Sequence, residues 1–117
     1  MGRPQGQDAK ATIPLPQGTT VYPMFGAQCL FASSGRMFAF IDAQGRVVAR
    51  LMGPEHQQAL ELGGEPFYLR PGVPFGRWVR LPTSLDRQTV GRFLDAAHRD
   101  VIALGLPKHG HRSRGGL

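Results

Sequence analysis

From residue 20 to residue 52 the apolar positions fall into short runs of about five to seven residues, the length of strands rather than helices. Polar turn sequences, Ser33-Ser34-Gly35 and Asp42-Ala43-Gln44-Gly45, separate the runs as hairpin connections would. Met37, Ala39 and Ile41 alternate with Phe38 and Phe40, so both faces of that strand are apolar, which predicts a central position. Val47 to Met52 predicts a further strand, nearer solvent on its Arg50 side. The period then changes. Pro54 opens a short helix over about 54–62, with Glu55 at its positive end and Gly63-Gly64 as a left-handed stop. Phe67-Tyr68-Leu69 and Arg77 to Leu81 predict two more strands around the break Arg70-Pro71-Gly72-Val73-Pro74. From Asp86 onward Val90, Phe93, Leu94, Ala97, Val101 and Leu104 repeat at helical spacing, with Thr83 or Ser84 expected as the cap and Gly105 and Pro107 as the stop. This order predicts a small two-layer α+β domain, an antiparallel sheet of about five strands with helices packed on one face.

With 117 residues, the chain has room for one such core and not two. The domain is expected over 19–107. Residues 1–18 are rich in Pro and Gly and predict a flexible N-terminal tail; 108–117, with Lys108, Arg112 and Arg114, predict a basic flexible C-terminal tail. No run approaches the roughly 18 apolar residues of a membrane span or resembles a secretory signal, and a single cysteine forms no internal disulfide. A cytoplasmic protein without membrane contact is expected. The formal net charge of +6 invites a polyanion partner, but the tails carry +1 and +3, leaving +2 on the body. Twelve of the 14 basic residues are Arg, a bias that a GC-rich genome also produces.

Candidate chemistry is sparse. Cys29 lies in an apolar strand run and predicts a small buried hydrophobe; only His98, far along the chain, offers itself as a base for it. His109 and His111 lack the further ligands of a metal site, and His56 sits among glutamines. The carboxylates alternate with Arg87, Arg92 and Arg99, a solvated face in which Asp95 and Arg99 stand four apart. No acid/base pair or phosphate loop is recognisable, so no catalysis, cofactor or metal is expected. The remaining candidate is an interaction surface at Arg70, Arg77, Trp78 and Arg80. Trp78 and Arg80 share a strand face, where an exposed Trp would stack on single-stranded nucleic acid or grip an acidic partner. The alternative places Trp78 in the core, with the arginines solubilising an edge strand.

The string Met24-Phe25-Gly26, then Leu30-Phe31, then Gly35-Arg36-Met37-Phe38-Ala39-Phe40 resembles the signature hairpin of the N-terminal domain of TfoX/Sxy competence regulators. Pro66-Phe67, Trp78 to Pro82 and the helix from Asp86 follow in that family's order, so the resemblance spans about residues 20–104. Ala27 replaces the family's second glycine, and the Pro-interrupted start does not match its first helix. The resemblance implies a two-layer α+β domain and a non-enzymatic regulatory or protein-interaction role. The named family members work with the cyclic-AMP receptor protein at competence promoters through a chain that includes a second domain, for which this sequence has no counterpart. A protein partner is the first expectation. A nucleic-acid-binding module using the basic tail and the Arg/Trp surface is the second, and the sequence leaves the oligomeric state open.

Overall fold

The computed structural model describes residues 13–105. Its elements in chain order are β1 (Thr20–Met24), β2 (Ala27–Phe31), β3 (Met37–Ile41), β4 (Val47–Arg50), α1 (Glu55–Glu61), β5 (Glu65–Arg70), β6 (Val73–Arg80) and α2 (Arg87–Leu104). The strands form one antiparallel sheet in the order β1-β2-β3-β4-β6-β5, with α2 packed over β3 and β4 and α1 against β6, β5 and α2. This is the expected α+β architecture with a sixth strand. The additional strand arises because Phe25-Gly26 is a two-residue turn that folds the first apolar run back on itself as β1 and β2.

Local chemistry explains several of the connections. Between β3 and β4 the Asp42 carboxylate accepts from the backbone N–H groups of Gln44 and Arg46 and from Arg46 Nε, all at 2.9 Å, while Gly45 takes the left-handed conformation. Helix α2 begins at Asp86, whose extended backbone and side chain, accepting from Thr89 N–H at 2.8 Å, make it the N-cap in place of the expected Thr83 or Ser84. Gly105, at φ 77°, ends it as anticipated. After α1, Gly64 approaches the sheet so closely that a Cβ there would meet Ala59 O at 2.8 Å and Arg80 O at 3.1 Å.

Directly opposed residues share a sheet face, so the register divides the side chains into two layers. Leu30, Ala39, Ala49 and Val79 lie in one cross-strand row and are fully buried beneath the helices together with Phe93, Leu94, Ala97 and Val101. A register shift after Leu30 leaves Phe38 unpaired in the ladder, and its ring meets the edge of His98 on α2. Ile13 also packs against this core, and Pro14 lies over Gly91 of α2, a short strap ahead of β1. Residues 1–12 of the expected N-terminal tail and the whole of 108–117 lie outside the described residues, as do His109 and His111. Among the described residues no helix is long and apolar enough to cross a membrane.

Candidate functional site

The opposite sheet face carries the row Tyr22, Cys29, Phe40, Val48, Arg80 and Glu65. Cys29 and Val48 are buried although no helix covers them. Their cover comes from the sheet itself. Phe67 of β5 meets Phe40 of β3 at 5.3 Å between ring centroids, yet β4 and β6 separate those strands in the sheet order. Three inter-strand spacings of about 4.8 Å put flat strands roughly 14 Å apart, so the β5–β6 hairpin must curl over this face. The cause is a bulge: Pro66 pairs with Val79 and Tyr68 with Pro74, so β6 inserts extra residues around Gly76, which sits at φ 54°. That bulge brings Phe75 onto Trp78, stacked at 6.0 Å with 23° between the planes, while Phe40 lies on Trp78 at 5.8 Å and Phe67 meets Phe75 edge-on at 6.2 Å.

Trp78 is consequently 8% exposed and unavailable as the stacking surface considered from the sequence; the half-exposed ring is Phe75, at 39%. Nor is β6 an edge strand, because β5 lies outside it. Arg80 shares Trp78's face and pairs with Glu65 at 3.5 Å, its buried Nε meeting no partner. Arg77 turns away from Trp78: its Nε donates to Leu51 O at 3.2 Å and its Nη2 to Met52 O at 3.3 Å, tying β6 to the chain leaving β4. Arg70 is exposed at the hairpin end. Arg50, which sequence reasoning left out of the site, lies directly opposite Trp78 on the same face. Phe40, Phe67 and Phe75 were missed as a group because contacts across four strands have no local signature; Gly76 inside an apolar strand run was the one local sign of a bulge.

At the far edge of the sheet, Phe25 occupies the β1–β2 turn at φ 53°, beside Gly26 at φ 78°, and its side chain is 100% exposed. Both residues of this turn need the left-handed region, which Gly and Asn accept and Phe resists. Of the other signature residues, Leu30, Phe38 and Ala39 are buried, Met24, Phe31 and Met37 are half-buried, Gly35 adopts φ 91° and Arg36 Nε donates to Gly105 O at 2.8 Å. The signature therefore builds a hairpin and anchors the end of α2.

The ionisable groups do not converge. Cys29 lies on the outer face and His98 packs on Phe38 beneath the helices, so the sheet separates them; burial also pushes the Cys29 thiol up. The His98 Nε2 is buried without a partner. Burial and the nearby Arg77 hold His56 below the usual imidazole range. Glu55 is lowered by its own backbone N–H and by Arg99, which pairs with it at 3.1 Å instead of with Asp95. Among the described residues no group of three or more His, Cys, Asp or Glu is placed to hold a metal ion. A groove of about 160 Å³ between Ile13, Val47, Leu81 and Val90 is rimmed by Arg46 and Arg87 and contains no acid/base pair. Comparison with protein-family models, curated proteins and solved structures gives no match to this chain.

Proposed function

We propose that this is a cytoplasmic, non-enzymatic regulatory domain that acts by protein contact, in the manner implied by its resemblance to the TfoX/Sxy N-terminal domain. The observation that carries the reading is Phe25. A large apolar ring fully in water, on a backbone conformation that disfavours it, serves neither the core nor the turn. Such a residue gains its burial when a partner covers it. Edge-strand pairing supplies that cover poorly. Met24 and Ala27 close the two-residue turn, so the backbone groups of Val21 and Pro23 point out of the sheet, and Pro23 has no N–H to offer. The contact is accordingly made by side chains at the turn, with Tyr22 exposed close by.

The test is affinity capture with chemical crosslinking from the native cell lysate, comparing the full chain with Phe25→Asn. Asn suits the left-handed turn and removes the ring, so folding is preserved while the contact is lost. A discrete partner enriched by the parent chain and absent with the variant is the expected result. Failure to enrich any partner, or equal enrichment by the variant, overturns the proposal.

A further inference from the structure

We propose that the outer sheet face at the β5–β6 hairpin binds single-stranded nucleic acid, with Phe75 as the base-stacking platform and Arg50, Arg70 and Arg80 as its phosphate contacts. This surface lies at the opposite edge of the sheet from Phe25 and stands independently of the protein-contact reading.

Three observations converge on it. The first is the ring cluster: Phe75 stacks on Trp78, Phe40 leans on Trp78 at 36° between the planes, and Phe75 keeps 39% of its surface in water. A ring fixed from behind by other rings loses little freedom when a base stacks on it, and any base presents a suitable π face. The second is where the cations stand. Arg50 is directly opposite Trp78, Arg80 occupies the same face one row away, and Arg70 is exposed where the hairpin ends. The third is charge segregation across the fold. With Arg77 set aside because it turns away from Trp78, β4, β5 and β6 carry Arg50, Arg70 and Arg80 against the single acid Glu65, whereas the helices and the α2 cap carry five carboxylates against three arginines. The strands that hold the aromatic cluster thus carry an excess of positive charge, and that excess draws a polyanion toward Phe75. An acidic protein would use the charge but not the stack; the pairing of ring and cations favours nucleic acid.

The chain has one tryptophan. Because Trp78 stacks against Phe75, its emission reports events at this face. The experiment is a titration of the full chain with an oligothymidylate of about 20 nucleotides and with a duplex of equal length, following Trp78 emission across a salt series. Saturable quenching by the single strand, with weaker response to duplex, is expected. Its log K should fall with log salt by about 0.7 per phosphate contact. Arg50→Ala and Arg70→Ala should each reduce that slope by about one contact. Phe75→Leu, which keeps apolar cover over Trp78, should weaken binding roughly five- to a hundredfold. Neutralising Lys108, Arg112 and Arg114 together should leave the quenching in place. Absence of quenching, equal response to duplex or to polyglutamate, or loss of the signal with the C-terminal cations alone overturns the proposal. Should circular dichroism show Phe75→Leu to be misfolded, the slopes of the Arg50→Ala and Arg70→Ala variants decide it.

Discussion

Phe25 illustrates how a single backbone angle separates folding from use. At φ 53° the backbone is in the left-handed region, where a residue other than Gly, Asn or Asp costs roughly 1 kcal/mol or more, and no contact with the core offsets that cost. Phe25→Asn creates the Asn-Gly pair preferred in this turn, so the variant should be more stable than the parent by about 1 kcal/mol in denaturant melts. The same change removes the proposed partner contact, which makes stability and capture move in opposite directions. A purely structural role for Phe25 requires the variant to be less stable. Cys29 makes the converse case: a buried thiol opposite Phe40, whose pKa burial pushes up so that it stays protonated, behaves as packing rather than as a nucleophile.

Elements succeed here where their ends are chemically marked. Gly64 is the tightest such mark, since it lets the chain leave α1 and pass between Ala59 O and Arg80 O. Gly64→Ala inserts a carbon 2.8 Å from a backbone oxygen that moves only with the helix, so α1 must shift off β6. A loss of roughly 1–3 kcal/mol in stability is expected, with earlier hydrogen exchange at Ala59 to Leu62 than elsewhere; unchanged exchange there contradicts the account. The sequence marks such points well. Gly63-Gly64, Gly105, the Asp42 turn and the periodic face of α2 were all legible because their chemistry is local, and the doubly apolar β3 is the interior strand its pattern implied. The rest depended on distant partners. Phe25-Gly26 read as part of a signature and not as a turn, since Phe is a poor turn residue. Trp78 left two readings open because its burial depends on Phe75 arriving through a bulge and on Phe40 from another strand. Arg50 entered the site only once the register set it opposite Trp78.

Over the whole molecule the ionisable groups set a direction for acid. Asp42, Glu55 and Asp86 are held below their ordinary values: backbone N–H donors and Arg46 outweigh the desolvation of Asp42, Glu55 is stabilised by its own N–H and Arg99, and Asp86 by Thr89. A carboxylate whose folded value is depressed contributes stability that is complete above its unfolded value and disappears as pH falls through the folded one. Their contribution therefore fails only below about pH 4. His56 acts in the same sense at a higher pH. Burial and Arg77 favour its neutral form in the folded chain, so its contribution is complete above the unfolded value of 6.5 and declines as pH falls below it. Thermal melting measured from about pH 8 to pH 3 should show a shallow decline beginning near 6.5 and a steeper one below about 4. His56→Gln should abolish the first and leave the second, because Gln keeps a polar side chain there without a proton to gain. Arg77→Gln should shrink the first decline without removing it, since desolvation of His56 is the larger cause and remains. Retention of the full upper decline in His56→Gln would transfer it to another group and uncouple β6 from the acid response.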